Sequence, residues 1–137
     1  MSGVPPSYLA GLSPTQRLLQ KRLIQKSQQV YEKTGRVQER PKVSEKKVPR
    51  SKHAEEFYER YGFYVTNLSQ LKKTFPDTDV SGILAKGAAA YASSGSRPNV
   101  SSFAWKFARL ASVLTGGKAY KIDKDLVGEE SRKKIFG

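Results

Sequence analysis

Residues 81–120, SGILAKGAAAYASSGSRPNVSSFAWKFARLASVLTGGKAY, set two small-residue-rich helical patterns on either side of a Ser/Gly/Arg/Pro/Asn loop. The stretch contains no Asp or Glu, holds the single tryptophan, Trp105, and uses Ala and Gly where its flanks use Lys and Glu. Ala88 to Ala90, with Gly82 and Gly87, leave a helix surface that another helix can approach closely. Phe103, Phe107, Leu110 and Leu114 recur at helical spacing on one face of the second pattern, with Trp105 and Ala108 off that stripe. Helices are expected over 80–92 and 101–114, and the loop between them is short enough for an antiparallel pair. This pair sets the fold class as all-α.

In the loop, Gly95 permits unusual backbone angles, Pro98 fixes one, and Ser93, Ser94, Ser96 and Asn99 can bond to the main chain. Arg97 sits at its centre. The preferred reading is a tight corner in which a buried arginine ties two segments together. The competing one is an anion site formed by the Ser hydroxyls, Arg97 and the helix N-terminus beyond Asn99. TGGKA, ending at Ala119, resembles a phosphate loop only superficially. The first glycine of that pattern would fall on Ser112, and Ala119 replaces the magnesium-binding Ser or Thr. A double-glycine helix stop at Gly116 and Gly117 accounts for it better.

Upstream, Ser13-Pro14-Thr15-Gln16 predicts a helix start with a reciprocal Ser/Gln cap and Pro at the first helical position. That helix is expected over 14–34, ending at Gly35, with Leu19, Leu23 and Val30 as an apolar stripe and Leu18 and Ile24 nearby. Residues 36–52, RVQERPKVSEKKVPRSK, with two prolines and no aromatic residue, predict an extended basic linker or arm. Ser51 and Gly62 bracket a short helix, and another is expected over 67–74, ended by Pro76. Asp77 or Asp79 can cap the next helix. A last turn falls over 119–126, and GEESRKKIFG is expected to fray. The organisation is therefore a basic N-terminal arm over 1–52, a small helical domain over 53–127 and a flexible tail over 128–137.

The 137 residues carry 25 Lys and Arg against 12 Asp and Glu, a formal charge of +13. Residues 1–52 hold 12 basic and 3 acidic groups, net +9, so polyanionic partners are favoured and the first third is the polycation. Cysteine is absent and His53 is the single histidine, which excludes disulfides, thiolate metal sites and His clusters. A Ser-His-Asp arrangement would have to use His53, at the edge of the linker. Asp123 and Asp125 fall on different helix faces and suit capping or solvation. No apolar run is long enough to span a bilayer, and the N-terminus lacks the order of a secretory signal. No cofactor, metal or small-molecule substrate is expected. Trp105 and Tyr91 read as core rather than as base-stacking residues.

Lys86, Gly87, Ala90, Tyr91, Ser93 to Pro98, Trp105, Ala108 to Ser112 and Gly116 to Lys118 together resemble the signature of a small basic domain family of unknown function from large double-stranded DNA viruses. Ala88-Ala89 departs from it, standing where the family pattern has an Arg-containing stretch. The upstream LSPTQRLLQKRLIQKSQQVY, the RPKV segment and SKHAEEFYERYG resemble the family as well. The resemblance implies a viral context and a virion location. The expected function is a non-enzymatic minor capsid or virion-internal protein docking to other virion proteins; the alternative is sequence-nonspecific binding to the viral genome. Arg36, Arg40, Lys42, Lys46, Lys47, Arg50 and Lys52 on the arm, with Arg97, Arg109 and Lys118 on the domain, are the expected contacts to partner protein or nucleic acid.

Overall fold

Local sequence fixes most helix ends. Ser13 Oγ accepts from the Gln16 backbone N–H at 3.2 Å while Gln16 Oε1 accepts from the Ser13 N–H at 3.0 Å, and Pro14 opens the helix without an N–H to leave unpaired. Gly35, at φ 70°, takes the left-handed position that ends it. Ser51 and Gly62 bracket the second helix in the same way, and Asn67 caps the third. The computed structural model describes residues 4–45, 48 and 51–137. Its helices are α1 (Pro14–Thr34), α2 (Lys52–Tyr61), α3 (Leu68–Thr74), α4 (Val80–Ser94), α5 (Ser102–Leu114), α6 (Lys118–Asp123) and α7 (Glu129–Phe136), with short 3-10 turns at Pro6–Leu9 and Lys124–Leu126. The protein is all-α, with no strand among the described residues.

The chain divides into two compact units, one of residues 1–49 and 88–105, the other of 50–87 and 106–137. This differs from the expected arm over 1–52 and domain over 53–127. Residues 36–45, after α1, pack within the first unit, where Val43 is buried and its N–H donates to Asn99 Oδ1 at 2.8 Å. Asn99, at φ 65°, donates in return to Ser44.

In the first unit, α1 buries Gln20, Ile24 and Ser27, not the expected leucine stripe; Leu18 and Leu19 are 58% and 44% exposed. Ile24 packs on Gly95, where an added Cβ would lie 3.1 Å from two of its side-chain carbons and φ is 100°. Apolar periodicity missed this face because two of its three buried residues are polar. Tyr8 meets Trp105 edge-on, ring centroids 5.8 Å apart.

In the second unit, Phe57 is fully buried and contacts the rings of Tyr61, Phe63 and Phe75, while Leu71, Ile83, Leu110, Leu114 and Ile135 complete the core. Phe103, expected on the buried stripe of α5, is instead 55% exposed, whereas Phe107, Leu110 and Leu114 are buried. The close helix approach expected from the small residues is made at Gly87, where a Cβ would stand 2.8 Å from Lys106 Cα. Gly87→Ala is therefore expected to destabilise the protein by roughly 1–3 kcal/mol through overpacking. This outweighs the ~1 kcal/mol that alanine brings in helix propensity. A thermal melt checks it, and an unchanged or raised midpoint would remove the close approach.

The segment expected to fray is α7. Its first turn is capped from 53 residues away: Asp77 Oδ2 accepts from the Glu130 N–H at 2.8 Å and Asp77 Oδ1 from the Ser131 N–H at 3.2 Å. Ile135 is buried on the core. Asp79 meanwhile caps α4, accepting from the Gly82 N–H at 2.9 Å. The two aspartates offered as alternatives for one helix thus serve two, and the distant one is invisible to local pattern.

Candidate functional site

The last carbonyls of a helix have no partner inside it and carry partial negative charge, whereas the first N–H groups carry the opposite. In the first unit the dipeptide Glu39-Arg40 answers both. Arg40 Nη1 donates to the Tyr91 carbonyl in the last turn of α4 at 2.9 Å and to Ser27 Oγ at 2.9 Å, and Nη2 donates to Ser96 Oγ at 2.8 Å. Its guanidinium carbon lies 3.7 Å from the centroid of the buried Tyr91 ring, and its backbone N–H donates to the Tyr91 hydroxyl at 2.9 Å. Glu39 sits at the start of α5: Oε1 accepts from the Ser102 N–H at 2.8 Å, and Oε2 accepts from the Ser102 hydroxyl. Ser27 Oγ reaches the Ala92 carbonyl at 3.4 Å and Gln20 Nε2 the Ser96 carbonyl at 3.3 Å, so α1 also serves this corner.

Two expectations change here. The arginine that ties the corner is Arg40, from the segment read as an extended basic linker or arm, while Arg97 is exposed. The anion place beyond Asn99 is taken by the chain's own Glu39. Burial pulls the Arg40 guanidinium below its ordinary pKa, partly offset by Tyr91, Glu39 and Tyr8. Burial likewise raises the Tyr91 and Tyr8 phenols.

The second unit has its own buried charge. Asp123, with no exposed side-chain surface, receives a bidentate pair of bonds from Arg109, Nε to Oδ2 at 2.7 Å and Nη2 to Oδ1 at 2.8 Å. Lys86 Nζ approaches at 3.6 Å. The hydrogen bond to Asp123 raises the Arg109 pKa against the opposing effect of burial. Asp77 is held below the usual carboxylate range, first by the Ser131 hydroxyl and then by the N–H groups it caps. After Gly116, at φ 74°, the Gly117 N–H donates to the Ser112 carbonyl and the Ala119 N–H to Ser112 Oγ. These backbone groups are occupied within the chain, as a helix stop requires. A cavity of about 280 Å³ beside α2 is lined by Ala54, Tyr64, Val65 and Thr66.

Of the ten expected contact residues, Arg40 and Arg109 are engaged in bonds within the chain. Arg36, Lys42, Lys52, Arg97 and Lys118 are exposed. Lys46, Lys47 and Arg50 lie outside the described residues. Glu39, Gln20 and Ser27 were not singled out by sequence; adjacent opposite charges ahead of a proline were the available signal for Glu39.

A family model described as a family of unknown function (DUF5824) matches residues 5–128. The chain belongs to the DUF5824 family. The match takes in the whole Glu39-Arg40 clasp, the 95–101 loop and the Arg109–Asp123 pair of this DUF5824 member. No curated protein and no solved structure matches it.

Proposed function

We propose that this DUF5824 protein is a non-enzymatic structural component of a large DNA virus particle, a minor capsid or virion-internal protein. The viral setting rests on the resemblance of its signature segment. The observation that carries the structural role is the clasp: Ser27, Ser96, Tyr91, Glu39 and Arg40 are engaged in holding two helix ends. The segment that most marks the sequence is thereby scaffold. Around it the first unit holds 11 basic and 3 acidic residues, net +8, which suits a place against acidic neighbours or the genome. Purified particles are expected to retain the protein at fixed stoichiometry, with cryo-EM density at symmetric positions. Recovery from infected-cell extracts alone, never from particles, would overturn the reading.

A second reading, binding to nucleic acid through phosphates, is favoured by charge that remains uncompensated. Among the described residues, Arg36, Lys42 and Arg97 are exposed and form no ion pair.

A further inference from the structure

The outer face of α1 adds a more ordered group of cations. A helix turns about 100° per residue, so Gln20, Ile24 and Ser27 share the buried side of α1, while Arg22, Lys26 and Lys33 fall on the opposite side. All three are exposed, and none forms an ion pair among the described residues. Gln29 is exposed on the same ridge. Glu32, the one acid of α1, lies off it by helical geometry. From Arg22 to Lys33 is 11 residue steps, about 17 Å of helix axis, comparable to about five nucleotide steps of one duplex strand.

We infer that the Arg22–Lys26–Lys33 ridge of α1 binds the phosphate backbone of double-stranded nucleic acid without sequence preference. The inference rests on the nucleic-acid reading and gives it a surface that the arm residues did not. A lipid surface fits less well, because an interfacial helix sinks an apolar face into the bilayer. Here Ile24 is already buried within the unit, and Leu18 and Leu19 sit only at the N-terminal end of the ridge. A local carboxylate cluster on a protein also fits less well than a continuous polyanion, since the cations are spaced along the C-terminal part of α1 and the unit around them is net positive.

The test is fluorescence anisotropy with a labelled duplex of arbitrary sequence over about 50 to 200 mM salt. It compares the full chain, the R22Q/K26Q/K33Q variant and a charge-matched control, K72Q/K73Q/K121Q, whose lysines are exposed in the second unit. Glutamine preserves helix propensity, and circular dichroism should show unchanged folding. Each phosphate contact contributes about 0.9 to the slope of log affinity against log salt. The ridge variant should therefore lose about 2.7 of that slope, equivalent to about 40-fold in salt sensitivity over this range, and the control under about 1. Equal slopes for the full chain and the ridge variant, or equal losses in both variants, would overturn the ridge alone. Absence of duplex binding by the full chain at the lowest salt would overturn the nucleic-acid reading with it. Phosphatidylserine vesicles and polyglutamate, matched in total charge, are the rival probes. Tighter ridge-dependent binding of either than of the duplex would replace nucleic acid as the partner.

Discussion

Arg40→Ala should lower stability by roughly 3 kcal/mol, the order of cost for leaving buried hydrogen-bonding groups unpartnered. For a chain of 137 residues this corresponds to a fall of about 10 °C in Tm. The guanidinium serves three acceptors from two nitrogens, and its loss strips Ser27 and Ser96, each about 1% exposed, of a charged donor. It also removes a cation at the carbonyl end of α4 and the stacking over Tyr91. Arg40→Lys should recover little, because an ammonium cannot reproduce a planar fork reaching Ser27, the Tyr91 carbonyl and Ser96 together. Arg97→Ala is the comparison: its side chain is exposed, and the expected change is within about 0.5 kcal/mol. Thermal and urea unfolding of the three variants decide the matter. Equal losses for Arg40→Ala and Arg97→Ala would mean that the corner is not held as described.

The contrast between those arginines shows what the sequence could tell. Features written within a few residues were legible: the Ser13/Gln16 cap, the Ser51 and Gly62 boundaries, the α3 helix ended ahead of Pro76, and the double-glycine stop after α5. Each is a local competition for backbone hydrogen bonds, which residue type alone largely decides. The corner between α4 and α5 was also readable in kind, as a place where an arginine ties segments together. Which arginine does so was not, because Arg40 lies 51 residues from Tyr91 in sequence. The fate of the C-terminal segment was hidden for the same reason, since Asp77 supplies its cap across 53 and 54 residues. The face of α1 failed differently. Its buried surface includes Gln20 and Ser27, whose amide and hydroxyl meet carbonyls near the end of α4, so a search for apolar spacing selected Leu19, which is exposed, and Leu23 and Val30, which are only half-buried.

These long-range ties also separate some described cations from others by task. Arg40 and Arg109 hold structure, and their removal should be read in stability. Arg22, Lys26 and Lys33 touch no acid among the described residues, and their removal should be read in binding. Basic composition alone gives every Lys and Arg the same meaning. Burial and partner geometry separate a guanidinium that completes a helix end from one left to solvent.

Arg109→Ala should lower the stability of the second unit by about 3–5 kcal/mol. It leaves Asp123 wholly buried after losing two charge-assisted bonds. Lys86 offers only partial relief, because its Nζ is 3.6 Å away and its side chain is 52% exposed. Replacing both partners with apolar residues of similar bulk, Arg109→Met with Asp123→Leu, should recover most or all of that loss of about 3–5 kcal/mol, since neither charge then has to be held away from water. The pair's contribution should not fade at alkaline working pH. Arg109 has a raised pKa, so its share is fully present below the ordinary guanidinium value and is lost only as pH rises through the raised one. Urea unfolding at neutral pH and near pH ~10 tests both statements. A double variant no more stable than Arg109→Ala would show that the site requires the ion pair itself rather than a filled, charge-free space. That result would place the pair with the clasp as a device of fold specificity.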